Sequence, residues 1–218
     1  FGDASFNLTA PTSNNTPATF TYSVPAGNGV ATISGSTVTI TGAGSVVVTA
    51  TQSASNGYLS ASITATLTVN AASPTYQSVA QITKTYGTDV SFSLTSLVAG
   101  ISSSSGAYTF SSGSSAVDIC GDVVTILAYT PSAVSITASQ DAAGNYAASS
   151  TTLSLLVNRG SATYQSVAQI TKTYGTDVSF SLTSLVSGIS NSSGAYTFSS
   201  TSGAISISGS VVTILAYT

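Results

Sequence analysis

Thr75–Val98 reads TYQSVAQITKTYGTDVSFSLTSLV, and Thr163–Val186 repeats it letter for letter. Within this stretch Val90, Phe92 and Leu94 alternate with Ser91 and Ser93. Successive side chains of a strand point to opposite faces, so this rhythm predicts strands with an apolar inner face and a hydroxylated outer one. Val178, Phe180 and Leu182 repeat the pattern, and Val134, Ile136 and Ala138 keep its period. No window shows the 3.6-residue period of a helix, so no helix beyond a single turn is expected.

The self-similarity extends outward. GAYTFSS and VVTILAYT recur, and Tyr86 and Tyr174 are 88 residues apart, about the size of one sandwich domain. The first part is a diverged copy. Ala31–Ile40 (ATISGSTVTI) matches Ala116–Ile126, Val48–Tyr58 matches Ile136–Tyr146, and Ser62–Asn70 matches Ser150–Asn158. Phe1-Gly2-Asp3 matches Tyr86-Gly87-Thr88-Asp89 with one residue fewer. The expected division is repeat one over 1–70, a linker over 71–74, repeat two over 75–158, a linker over 159–162, and repeat three over 163–218. Repeat one lacks a counterpart of Thr75–Thr85, its first strand, and repeat three lacks counterparts of Pro131–Asn158. Joining copies head to tail leaves both gaps open, so the expectation is that the native chain continues in both directions. The absence of Met likewise predicts that Phe1 is not the native N-terminus.

In repeat two, strands are expected near Tyr76–Lys84, Asp89–Thr95, Ala107–Ser111, Ala116–Cys120, Val123–Leu127, Ala133–Ser139 and Thr151–Val157. Gly35, Gly121 and Gly209 occupy one position in the three copies, each between two short strands, as a tight hairpin requires. Seven short strands at this spacing predict an all-β fold of tandem immunoglobulin-like antiparallel β-sandwich repeats. With short linkers these would stack into a rod, each repeat adding on the order of 30–40 Å.

Composition narrows the function. Charged residues make up 4% of the chain, with six Asp, no Glu, no His, and only Lys84, Arg159 and Lys172 as bases. Three scattered bases cannot neutralise a run of phosphates, so a nucleic-acid partner is excluded, and an anionic membrane surface is disfavoured for the same reason. Mean hydropathy is +0.39, but Ser and Thr interrupt every apolar stretch, so no membrane-inserted helix is expected in this segment. Cys120 is the single cysteine, which rules out an internal disulfide framework.

The KTYG and FGDASF openings, the ATISG…VTI hairpin and the TATQ…NGY…TLTVN ending resemble bacterial Ig-like repeats, and the opening is most similar to the MBG type. The resemblance spans the whole chain. It implies a β-sandwich that serves in stalks, adhesin shafts or virion fibres of giant bacterial surface proteins or large DNA viruses. It brings no catalytic residues, and the usual Ig disulfide and core Trp are missing here.

Each candidate site has a plainer reading beside it. Asp118 and Asp122 flank Gly121, where two carboxylates could share a proton or bind Ca²⁺, but repeat three has Ser206 and Ser210 there, which favours a polar turn. Asp89 and Asp177, and similarly Asp3, are expected to order the turn into the second strand, with Ca²⁺ at a repeat junction as the alternative. Cys120 becomes Ser34 and Ser208 in its sister repeats and has no His to activate it, so it reads as a strand residue. Lys84, like Lys172, could crosslink to an Asn such as Asn158 on the last strand, or simply guard an edge. Asn7, Asn14 and Asn191 head glycosylation sequons, so glycans are candidate partners. Tyr58 and Tyr146 precede the last strand and are expected to plug the core rather than stack on a glycan.

No catalytic, cofactor-binding or metal-binding residue is assigned, and no cofactor is expected. The first reading is a non-catalytic structural protein forming a stalk, fibre or outer layer outside the cell or on a virion. Its partners would be neighbouring repeats, other copies, or a capsid or cell-wall surface. The alternatives are an adhesion module and the spacer region of a larger extracellular enzyme.

Overall fold

A computed structural model describes residues 1–216. The end of repeat three, expected at Thr218, lies outside the described residues. The chain is all-β, with 41% of residues in strands and 4% in helix. It divides into two compact units, Phe1–Arg159 and Gly160–Thr218.

In the first unit, repeat one contributes β1 (Phe6–Asn7), β2 (Phe20–Ser23), β3 (Ala31–Ser34), β4 (Thr37–Ile40), β5 (Gly44–Gln52) and β6 (Ala61–Val69). They form two three-stranded sheets, β1-β4-β3 and β2-β5-β6. Val30, Ala31, Val38, Val46 and Val69 fill the space between them.

Repeat two contributes β7 (Ile82–Thr85), β8 (Ser91–Ser93), the single turn α1 (Thr95–Val98), β9 (Tyr108–Ser111), β10 (Val117–Cys120), β11 (Val123–Ile126), β12 (Val134–Gln140) and β13 (Ser149–Asn158). Its sheets are β10-β11-β8 and β7-β13-β12-β9. Both face one core of Leu94, Val117, Val124 and Ile126 from the first sheet and Ile136, Leu153, Leu155 and Val157 from the second. Leu94, Ile136 and Ala138 are fully buried, in phase with the alternation that predicts them, and Leu155 on β13 is buried as well. The β10–β11 hairpin turns on Gly121 with φ +63°, while Asp122 keeps a negative φ; a glycine first in a two-residue loop suits the twist of the flanking strands.

The antiparallel sandwich expected from the sequence is present, with one parallel pair within it: β7 runs parallel to β13 in the register Ile82↔Leu155 to Thr85↔Asn158. The chain enters repeat two beside the start of the last strand, where Ala72 bridges Tyr146 in parallel, and so travels with that strand rather than against it. The first strand is shorter than the expected Tyr76–Lys84. Tyr76 pairs with Ser102 and Gln77 donates to the Ile101 carbonyl before the chain crosses to β13, so one segment serves two partners in turn.

In the second unit, repeat three forms β14 (Ser179–Ser181), the turn α2 (Thr183–Val186), β15 (Ile205–Ser208) and β16 (Val211–Ile214), in the order β14-β16-β15. Thr163–Thr173, identical in sequence to Thr75–Thr85, forms no strand and every residue of it is exposed. Phe180, Leu182, Ile205, Ile207, Val212 and Ile214 line an open cavity of about 470 Å³ on the sheet's inner face.

Candidate functional site: the repeat junction and the buried glutamines

Two buried glutamines occupy corresponding positions, Gln52 ending β5 and Gln140 ending β12. Each continues the inward phase of its strand, after Val48 and Ala50 in one case and Ile136 and Ala138 in the other. A buried amide must find partners for both its ends. Gln140 Nε2 donates to the Ser104 carbonyl at 3.0 Å and the Gly106 carbonyl at 2.9 Å. Its Oε1 accepts from Ser102 Oγ at 2.6 Å and from the Tyr76 hydroxyl at 3.3 Å. The side chain therefore ties the first segment of repeat two to the loop leading into β9. Gln52 does the same for repeat one with fewer bonds, donating to the Asn15 carbonyl at 3.0 Å and accepting from Ser13 Oγ at 2.6 Å. The TATQ and TASQ endings carried this signal, since a Gln falls where a core residue is due.

The two repeats of the first unit meet through the turn before β13. Asn145 Oδ1 accepts the backbone N–H of Ala43 at 2.8 Å. Its own carbonyl accepts the N–H of Ala72 at 2.9 Å, and Ala147 N–H donates to the Ala72 carbonyl at 2.8 Å. The Tyr146 ring packs edge-on against Phe1 at 6.1 Å. Side chain, backbone and ring thus hold repeat two to both repeat one and the linker. At the other end of β13, the guanidinium of Arg159 sits 4.3 Å from the Tyr129 ring centre and donates to its hydroxyl at 2.8 Å.

The residues singled out from sequence fall as follows. Asp89 Oδ2 accepts the Thr85 N–H at 2.7 Å and Asp177 Oδ2 the Thr173 N–H at 2.8 Å, so both order the turn around a positive-φ glycine. Each also pairs with a lysine: Lys84 to Asp89 at 3.6 Å and Lys172 to Asp177 at 3.8 Å. The two ammonium groups lie 5.0 Å from the Phe92 ring and 5.3 Å from the Phe180 ring. Lys84 pairs in register with Val157, whereas Asn158 pairs with Thr85, which puts Lys84 and Asn158 on opposite faces of the sheet. The structure therefore does not bring the crosslink pair together. Asp122 Oδ2 accepts from Ser93 Oγ at 2.5 Å and Thr95 Oγ1 at 2.9 Å, and these bonds hold its carboxyl below its ordinary range. Asp118 stands exposed in β10 opposite Thr125. Among the described residues no three His, Cys, Asp or Glu side chains cluster as metal ligands do. Cys120 is exposed at the end of β10.

Asn7, Asn14 and Asn191 are exposed. Asn7 Oδ1 accepts from Thr37 Oγ1 and Asn191 Oδ1 from the Thr163 N–H. The two tyrosines depart from expectation. Tyr58 is 47% exposed, and Tyr146 is half-buried at the junction rather than plugging a core. A phase argument places residues on strands, and both tyrosines lie in turns.

No family model matches the chain, and no curated protein matches it. Among solved structures it is similar to human protocadherin-24 EC1-2, with TM-score 0.31 and 17% identity over 70% of this chain and 87% of that one. Drosophila N-cadherin EC1-4 gives 0.29 and 10% identity over 97% and 60%. Domains 1-6 of the surface layer protein SbsC give 0.25 and 15% identity over 67% and 21%. At these scores the likenesses assign neither family nor function. Among the described residues no helix is long and apolar enough to cross a membrane.

Proposed function

We propose that this chain is a non-catalytic structural segment whose Ig-like repeats, divided as the sequence predicts, carry tension along a stalk, fibre or outer layer on a cell or virion surface. The observation that carries this reading is the parallel pairing of the first and last strands of repeat two. Chain tension enters at β7 and leaves at β13. Because the two run the same way, pulling slides one along the other and strains all four paired positions together rather than one after another. The bonds from Asn145 to Ala43 and Ala72 support the same reading, since they tie neighbouring repeats together through the chain's own groups. A duplicated module suits this role, because a spacer gains length by repeating one unit. The likeness to MBG-type bacterial repeats fits here as well.

The competing adhesion reading is tested by incubating the full chain with glycan arrays and measuring any hit in solution. The structural reading expects no binding at micromolar concentration or tighter. A saturable micromolar glycan would replace it with a binding module.

A further inference from the structure

Asn-Gly occurs twice in the sequence, at Asn28-Gly29 and Asn56-Gly57, and both steps lie in repeat one. The pair is chemically labile, because no side chain on the glycine shields its nitrogen from the asparagine carboxamide. The two steps stand in different surroundings. Asn28 has every bonding position of its carboxamide filled. Its Nδ2 donates to the Pro25 carbonyl at 2.7 Å and the Ala31 carbonyl at 3.0 Å, while Oδ1 accepts from the N–H of Val30 at 2.8 Å and of Ala31 at 2.9 Å. Val30 and Ala31 belong to the core of repeat one, so Asn28 cannot swing free without disturbing it.

Asn56 is held more loosely. It is exposed and stands first in the two-residue loop closed by Ser55 and Tyr58, whose backbones exchange hydrogen bonds at 3.2 and 2.9 Å. Its φ of +49° is a left-handed conformation that few non-glycine residues keep, and Gly57 follows at +81°. Among the described residues its carboxamide is held through Nδ2 alone, which donates to Asn15 Oδ1 at 3.2 Å and the Thr16 carbonyl at 3.1 Å. These two bonds join the hairpin tip to Asn15, which is 3% exposed and whose carbonyl accepts from the buried Gln52 at 3.0 Å. Repeat two reverses the pair to Gly144-Asn145, so its corresponding turn lacks the reactive step.

We propose that Asn56 is a self-modifying latch. The Gly57 nitrogen attacks Asn56 Cγ, the Cγ–Nδ2 bond breaks, and ammonia leaves with the Gly57 amide proton. The resulting succinimide takes up water and opens at either carbonyl, to aspartate or to isoaspartate. Neither product donates where Nδ2 donated, so a carboxylate comes to face the Thr16 carbonyl, acceptor against acceptor. Isoaspartate also lengthens the main chain inside the two-residue loop that the paired Ser55 and Tyr58 close. The modification therefore frees the loop around Asn15 from the hairpin and leaves repeat two as it was. It needs only water and time, and it passes through the local opening that exposed turns undergo most readily.

The test is ageing of the full chain in mildly alkaline buffer, followed by peptide mapping that separates aspartate from isoaspartate. Conversion at Asn56 should outpace conversion at Asn28 by about tenfold or more, since opening breaks two side-chain bonds at the first site and four at the second. In the aged chain, exchange of the Asn15 amide, which is bonded to Ser13 Oγ, should rise several-fold while the amides of β12 keep their rates. Asn56→Gly, which copies Gly144, should abolish the conversion and make Asn15 exchange independent of age. Asn56→Asp should exchange fast at Asn15 from the outset. Asn56 persisting intact, conversion no faster than at Asn28, or conversion that leaves Asn15 exchange unchanged would each overturn the proposal.

Discussion

Asn145 Oδ1 accepts the backbone N–H of Ala43 across 102 residues of sequence, joining repeat two to repeat one at 2.8 Å. At the matching position repeat one has Gly57, which offers no such acceptor. Replacing Asn145 by Ala leaves a partly buried N–H unpaired and should cost about 1 kcal/mol. The direct readout is exchange of the Ala43 amide, expected to speed up several-fold while amides within β12 stay protected. Unchanged exchange at Ala43 would show that the bond does not hold the junction.

Gln140 makes four hydrogen bonds where Gln52 makes two. Substituting Leu strands the Ser104 and Gly106 carbonyls at either side of the loop. Gln140→Leu is expected to lower stability by about 3 kcal/mol and Gln52→Leu by less, by chemical denaturation. Equal losses would contradict the reading that Gln140 organises its loop more tightly.

Gly106 and Gly194 are the same residue in consecutive repeats but stand in different surroundings. A Cβ at Gly106 would lie 1.9 Å from the Asp141 carbonyl oxygen, whereas at Gly194 the nearest atom is Ser192 Oγ at 3.5 Å. Backbone cannot yield as a flexible side chain can. Gly106→Ala should cost about 3 kcal/mol or more and Gly194→Ala less than about 1 kcal/mol. Thermal melts of the two variants decide the point, and similar melting temperatures would count against the close approach.

Asp122 accepts two hydroxyl hydrogen bonds that favour its charged form, so its folded pKa lies below the ordinary 3.8. A depressed pKa stabilises the fold above the unfolded value, and that contribution is lost as pH falls through the folded one. The group is solvent-exposed, so the effect on stability is small. A carbon-detected titration should place its midpoint below 3.8, and Ser93→Ala with Thr95→Val should raise it toward that value. A midpoint at or above 3.8 in the unaltered chain would refute the assignment.

Much of this fold is legible in the residues themselves. The alternation through Val90, Phe92 and Leu94 marks an inner face; Leu94 is fully buried and Phe92 partly so, whereas Val90, which precedes β8, is 66% exposed. What escapes is whatever depends on a partner distant in sequence. The last four residues of TYQSVAQITKT form a strand where β13 lies beside them and exposed chain where no such strand does, although the letters are identical. Strand direction escapes too, since periodicity is the same in parallel and antiparallel pairs. Tyr146 belongs to a junction because Phe1 stands opposite, a fact that its own neighbourhood does not contain. Gln140 is different: the sequence reading passed over it, although its inward phase was there to be read, and only its four partners needed coordinates.

Pulling single molecules of the full chain from both ends tests the central claim most directly. In repeat two, tension slides β7 along β13 and loads its four paired positions at once. The account predicts a discrete unfolding event for repeat two at a well-defined force. Smooth extension of repeat two without such an event would contradict a chain built to carry tension.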